Sequence, residues 1–181
     1  MYQIRIHGRG GQGVVTAAEL IAIAAFYDGK EAQAFPSFGV ERTGAPIESF
    51  ARIDTKPIRT REHVYRPNFL IIQDATLIES VDITKGADDQ TILIINTAKD
   101  KKDLKIELAE KNIHPIDATK IALEIIGKNI VNTVILGAFA KNSGLISLEG
   151  LKKAIRQKFK DKGKDIINKN IKAIEKAYRF N

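Results

Sequence analysis

The chain has 181 residues, 44% of them hydrophobic and 28% charged, which is the balance of a globular protein with enough length for one real core. That composition excludes a disordered or collagen-like polymer, no run approaches the ~20 apolar residues of a membrane span, and no charged start leads into an apolar stretch, so neither membrane nor signal peptide is expected and the cytoplasm is the expected location. The net charge of +7 is uneven: residues 151–181 hold 11 Lys/Arg against 3 Asp/Glu, leaving residues 1–150 at a net of −1, and the absence of Cys excludes disulfides and cysteine-ligated clusters within this chain.

Tyr2–His7 alternates Tyr2, Ile4 and Ile6 with Gln3, Arg5 and His7, which predicts a strand. Gly8–Gly13 places four glycines in six residues, and Val14–Tyr27 follows as an Ala-rich helix whose only charge is Glu19. A helix this apolar is expected to be buried on most of its surface, with Asp28-Gly29 ending it. Glu31–Gly44, broken by Pro36, Gly39 and Gly44, reads as irregular. Pro46–Ile53 alternates again. Phe69–Ile72 and Thr91–Ile95 are continuous apolar runs suited to central strands covered on both faces. Lys105–Leu108 and Ile113–Ile116 are weaker strand candidates, and Pro115 confines the second to an edge or a strand end.

Asp117 is the expected N-cap of a helix over Ala118–Ile126, stopped by Gly127. Val131–Phe139 reads as a helix ending at Asn142-Ser143-Gly144. Ser147 caps another with Leu148, Leu151, Ile155 and Phe159 on one face, and Ile167, Ile171, Ile174 and Tyr178 stripe a last one. The expected fold is α/β: three layers, a largely parallel sheet flanked by helices, and a Rossmann-like first strand–helix unit. With no internal repeat or long linker, 1–181 reads as a single domain whose part 147–181 is basic and helical. The basic tail reads first as the solvated face of amphipathic helices, and no nucleic-acid motif accompanies it.

Gly8-Arg9-Gly10-Gly11-Gln12-Gly13 matches G-x-G-x-x-G between a predicted strand and a predicted helix. Glycines allow a tight turn and close backbone approach, and free N–H groups at the helix start favour an anion, to which Arg9 can add a charge-assisted bond. A purely structural turn fits the same residues. A dinucleotide site would need a second strand ending in an acidic residue about 20 residues on, and Glu31–Phe35 makes a poor strand, so NAD and FAD are disfavoured. The second constellation runs Phe35-Pro36-Ser37-Phe38-Gly39-Val40-Glu41-Arg42-Thr43-Gly44-Ala45-Pro46. Two phenylalanines flanking a proline would be costly in a free loop, so Phe35, Pro36 and Phe38 are expected against the core or a partner. Glu41 and Arg42 read either as an anion grip with an orienting carboxylate or as a structural ion pair. His7, His63 and His114 show no metal-ligand spacing, His7 reads as a hydrogen-bonded structural residue, and neither a catalytic residue nor a metal ligand is assigned.

GRGGQGVVTAAELIA at 8–22 and FPSFGVERTGAPIESFARI at 35–53 resemble the gamma subunits of pyruvate:ferredoxin oxidoreductase and, more widely, of the 2-oxoacid:ferredoxin oxidoreductases. The resemblance continues through QDATLIE at 73–79 and the segment at 131–155, and so covers most of the chain. It implies an α/β component of a complex that oxidatively decarboxylates a 2-oxoacid with coenzyme A to acyl-CoA, carbon dioxide and reduced ferredoxin. It further implies alpha, beta and delta partner subunits that hold thiamine diphosphate, Mg2+ and [4Fe–4S] clusters, with no cofactor bound by this chain alone. On that footing Gly8, Arg9, Gly10, Gly11, Gln12, Gly13 and Arg42 are candidate contacts for the phosphates of coenzyme A, and Phe35, Pro36, Phe38, Glu41 and Arg42 candidate interface residues. Relatives often carry Glu-Arg-Arg-Gly where this chain has Glu41-Arg42-Thr43-Gly44, one positive charge fewer. Pyruvate is favoured over 2-oxoisovalerate and 2-oxoglutarate by the 35–53 motif, with substrate choice expected in the alpha and beta subunits; a stand-alone nucleotide- or phosphate-binding module is the alternative.

Overall fold

A computed structural model of the chain describes residues 1–37 and 42–180. Its centre is a six-stranded mixed sheet built from β1 (Tyr2–Arg9), β2 (Glu31–Pro36), β3 (Pro46–Asp54), β4 (Phe69–Ile72), β5 (Ile92–Asn96) and β6 (Ile113–Ile116), in the spatial order β2-β3-β1-β4-β5-β6. Strands β1, β4, β5 and β6 run parallel, with Ile6 opposite Ile71 and Ile71 opposite Ile94. Strand β3 is antiparallel to both β1 and β2, with Ile4 opposite Ala51 and Ala34 opposite Ala51. The chain is α/β with a mostly parallel sheet, and the first strand, glycine turn and helix fall where the sequence puts them.

All five α-helices cover one face: α1 (Val14–Tyr27), α2 (Ala118–Ile125), α3 (Val131–Ser143), α4 (Leu148–Lys158) and α5 (Lys164–Arg179). The strand alternation selects that face. Ile4, Ile6, Ala51, Ile53, Phe69, Ile71 and Ile94 point into the helical core, where Leu20, Ile21, Ile135 and Phe139 have no exposed surface. Truncating such a side chain to Ala typically costs about 2–5 kcal/mol. The caps follow the side chains. Asp117 accepts from Lys120 N at 2.8 Å and Ser147 Oγ from Gly150 N at 2.8 Å. Ser147 also donates from Oγ to Asp28 Oδ1 at 2.6 Å, tying the end of α1 to the start of α4. No helix among the described residues is long and apolar enough to cross a membrane.

The opposite face is built differently. Over β4 and β5 the apolar residues Leu70, Ile72, Leu93 and Ile95 are covered by a 3₁₀ turn at Ala75–Glu79 and by irregular chain carrying Ile83, Leu104, Ile106 and Leu108. Over β1, β3 and β2 the cover is the segment 55–67, which has no regular secondary structure. Here the side chains pointing out of the sheet include Arg5 and Arg52, 4% and 1% exposed, whose guanidinium groups donate to backbone carbonyls of the covering loops. Arg5 reaches Val64 O at 3.3 Å, Ile83 O at 3.1 Å and Lys85 O at 2.7 Å; Arg52 reaches the carbonyls of Glu62 and His63. A buried guanidinium needs such partners, because an unmatched one would lose its hydration with no return.

Three expectations change. Glu31–Pro36 is a strand: it is half-exposed and bonded only to β3, so an edge strand with one partner tolerates the polar Glu31, Gln33 and terminal Pro36 that argued against it. Lys105–Leu108 is not a strand. The period-two pattern of Leu104, Ile106 and Leu108 serves packing onto the β4–β5 face through tight turns, with Ile106 N donating to Leu104 O at 3.0 Å. The strand expected at Thr91–Ile95 is shifted by one residue to Ile92–Asn96, since Thr91 bonds through Oγ1 to Pro67 O at 2.9 Å as the chain enters the sheet.

Candidate functional site

The glycine loop leaves the carboxyl end of β1, and the 42–46 segment returns beside it into β3. Their backbones bond directly: Gly10 N donates to Ala45 O at 2.9 Å and Gly44 N to Gly10 O at 3.0 Å. A Cβ at position 10 would lie 2.3 Å from Arg42 O, so only glycine permits this approach. Gly13 takes φ 71° as the residue before α1, where its left-handed conformation turns the chain into the helix. Among the described residues no side chain caps α1, and the first helical bond runs from Ala17 N to Gly13 O at 3.0 Å. The N–H groups of the first turn therefore have no intrahelical partner and carry the positive end of the helix dipole.

These elements line an open cavity of about 400 Å³, with Gly10, Gly11, Gly13, Thr16, Arg42 and Thr43 among its walls. The two sequence constellations thus meet in one place, and Arg42 is exposed at it. Gly8, Arg9 and Gln12 are not among its lining residues. Gly8 lies within β1. Gln12 closes the loop on itself, accepting at Oε1 from Arg9 N at 2.8 Å and donating from Nε2 to Asp74 Oδ2 at 3.0 Å. Arg9 donates from Nε to Asp74 Oδ2 at 3.2 Å, from Nη1 to Gly44 O at 3.1 Å and from Nη2 to Thr76 Oγ1 at 2.8 Å. Its guanidinium pins the glycine loop to the start of β3 and to the end of β4. Burial alone would raise the Asp74 carboxyl, but hydrogen bonds from Thr76 and Gln12 and the charge of Arg9 outweigh it and hold the group below the usual carboxylate range. The pair is neutral overall, so it places no net negative charge beside an incoming anion.

Phe35 and Pro36 end β2, half-buried. The Phe35 ring stacks on Phe50 at 5.2 Å between centroids, under the Arg52 guanidinium at 4.9 Å, so much of its apolar surface is already engaged within the chain. Phe38 and Glu41 lie outside the described residues. His7 is 1% exposed and held near pKa 3 by burial and by the charge of Arg5. Its Nε2 accepts from Arg5 Nε at 3.1 Å, which places its proton on Nδ1, 3.4 Å from Glu48 Oε1. It is a structural histidine. Among the described residues no group of three His, Asp or Glu side chains could hold a metal ion.

Asp74 joins the site without being among the residues that the sequence motifs single out. Its signals are the resemblance of the segment at 73–79 and its position two residues past the apolar run 69–72, where a central parallel strand delivers side chains to the carboxyl edge of the sheet. Thr76 and Asn132 have no local pattern of their own and are brought to the loop by tertiary contacts such as Asn132 Nδ2 donating to Gly13 O at 3.3 Å.

Residues 3–180 match the family model described as pyruvate ferredoxin/flavodoxin oxidoreductase. The chain is 54% identical over 156 residues to pyruvate synthase subunit PorC of Methanosarcina barkeri, spanning 86% of this chain and 85% of that one. It is 47% identical over 180 residues to the common gamma subunit of the pyruvate and ketoisovalerate oxidoreductases of Pyrococcus furiosus, spanning 98% and 96%. The crystal structure of pyruvate oxidoreductase subunit PORC from Thermotoga maritima superposes with a TM-score of 0.83 at 37% identity, covering 98% of this chain and 94% of that one. With the match running nearly end to end and the fold shared, the chain belongs to the pyruvate ferredoxin/flavodoxin oxidoreductase family.

Proposed function

We propose that this chain is the gamma subunit of a cytoplasmic pyruvate:ferredoxin oxidoreductase, a single α/β domain working with alpha, beta and delta subunits, and that its glycine-loop cavity contacts the phosphates of coenzyme A. The complex oxidatively decarboxylates pyruvate with coenzyme A to acetyl-CoA, carbon dioxide and reduced ferredoxin. Thiamine diphosphate, Mg2+ and the [4Fe–4S] clusters belong to the partner subunits, in keeping with a sequence that has no Cys. The names of the relatives support this reading, and one relative is shared between pyruvate and ketoisovalerate enzymes, which fits a subunit that leaves the choice of 2-oxoacid to its partners.

The observation that carries the coenzyme A assignment is the meeting of the two motifs in one cavity, with Arg42 beside first-turn amides that have no intrahelical partner. Coenzyme A offers a diphosphate and a 3′-phosphate. The amides and the dipole receive one charged group, and the planar guanidinium forks onto phosphate oxygens. Arg9 and Gln12 hold the loop in shape. In the assembled complex, Arg42→Ala is expected to raise the KM for coenzyme A by roughly tenfold to a hundredfold, the loss of one charged hydrogen-bonding contact, while the KM for pyruvate stays put. Because Arg42 is exposed, the fold should be untouched. An unchanged KM for coenzyme A would overturn the assignment.

A further inference from the structure

Segment 55–67 has two sides with opposite characters. The inward side is fixed to the sheet. Gln33 Nε2 donates to Ile58 O at 3.1 Å, Arg52 to the carbonyls of Glu62 and His63, Arg5 to Val64 O at 3.3 Å, and Gln3 Nε2 to Arg66 O at 3.3 Å. The His63 ring lies 5.0 Å from Phe50, continuing the stack that begins at Phe35. A loop with no helix or strand of its own is thereby held at successive points by groups from β1, β2 and β3, two of them buried arginines.

The outward side carries Lys56, Arg59, Arg61 and Arg66, all exposed, together with Tyr65 at 68% exposure. Against the single carboxylate Glu62, the segment has a net charge of +3. Among the described residues none of these four cations is in an ion pair, whereas four of the eleven cations of the more basic tail, Lys152, Lys158, Lys169 and Lys176, pair with carboxylates of this chain. Covering the sheet requires only the inward side. Arginine and tyrosine on a pre-ordered backbone are the residue types that dominate binding energy at protein interfaces, and prior ordering lowers the entropy cost of docking.

We propose that the outward face of segment 55–67 is a docking surface for a carboxylate-rich face of a partner subunit in the assembled complex. This rests on the reading of the chain as a subunit. Three arginines supply forked donors for carboxylates and Tyr65 supplies the apolar area. The surface covers the sheet face opposite the helices, whereas the glycine-loop cavity is lined by the first turn of α1 on the helical side, so it can be covered by a partner while the coenzyme A cavity stays open.

The test uses the co-expressed complex with Arg59→Glu/Arg61→Glu in this chain, and Lys160→Glu/Lys162→Glu in the tail as the charge-matched control. Size-exclusion chromatography across a sodium chloride series reads how much of this chain stays with its companions. The loop variant is expected to leave the complex at no more than half the salt concentration that releases the wild type, and the tail variant to behave as wild type. Tyr65→Ala with Arg66→Ala, which adds no negative charge, should shift release in the same direction, and thermal melts of each variant alone verify folding. The proposal is overturned if the loop variants are retained like wild type. It is equally overturned if the tail variant is released as easily, or if the complex holds while only the KM for ferredoxin rises. If the wild-type chain has no companions at any salt, it is the subunit reading that fails.

Discussion

The two cation-rich regions of this chain look alike in composition and differ in physics. The tail 151–181 carries a net +8, mostly Lys, on the amphipathic helices α4 and α5. Among the described residues four of its eleven cations are paired within the chain: Lys152 with Glu149 at 2.8 Å and Glu175 at 2.6 Å, Lys158 with Glu19 at 2.6 Å, Lys169 with Asp165 at 2.7 Å and Lys176 with Glu124 at 2.5 Å. Segment 55–67 carries a smaller charge, mostly Arg, on irregular chain held from beneath by Arg5 and Arg52. Long flexible lysines paired across helices describe a solvated face, whereas arginines on an anchored loop present charge outward at fixed positions. Under the docking proposal, raw net charge ranks the two regions the wrong way round as interaction surfaces.

The largest effect should come from cutting the anchor. Arg52→Met keeps the apolar stem but leaves the carbonyls of Glu62 and His63 without their donor, and roughly 3 kcal/mol of stability should be lost. A urea melt of the isolated chain measures it, with exposed Arg59→Ala expected within about 0.5 kcal/mol of wild type. If the two substitutions cost the same, the loop is not anchored from below.

His7 offers a second test on the same face. Its folded pKa, near 3, lies below its unfolded value of 6.5, so the unfolded chain takes up a proton that the folded chain refuses. The His7 contribution to stability is therefore fully present above pH 6.5 and is lost as pH falls towards 3, at up to about 1.4 kcal/mol per pH unit. Stability measured from pH 7 to pH 4 should drop less steeply in a His7→Gln variant. Parallel slopes would show that His7 is not held neutral. The smallest effect belongs to the tail, where Lys176→Ala should cost no more than about 0.5 kcal/mol, as for other exposed pairs.

The sequence made the helical face legible because its physics is periodic. Ile4 and Ile6 alternate, Ser147 and Asp117 cap, and the apolar helix Val14–Tyr27 buries residues such as Leu20, Ile21, Ala24 and Ala25, with only Phe26 and Tyr27 at its end exposed. The sheet's other face was illegible where it departs from that logic. Arg5 and Arg52 sit at strand positions that read as solvent-facing, yet both are buried by chain lying dozens of positions away or by a loop with no pattern of its own. β2 was missed because an edge strand with one bonded neighbour carries little apolar signal. Of the candidate site, Gly10, Gly11, Gly13 and Arg42 come together as the two motifs suggested. The engagement of Arg9 with Asp74 and Thr76 depends on β4 standing next to β1, a fact of topology that no local pattern encodes.

The central claim is that this chain's glycine loop and Arg42 contact coenzyme A in the assembled enzyme. Amide hydrogen exchange of the whole complex with and without coenzyme A tests it most directly. The account predicts slowed exchange at Gly10–Thr16 and at residues 42–44 when coenzyme A is added, and no slowing there in the Arg42→Ala complex at the same concentration. Coenzyme A turnover with exchange in those two segments unchanged would contradict it.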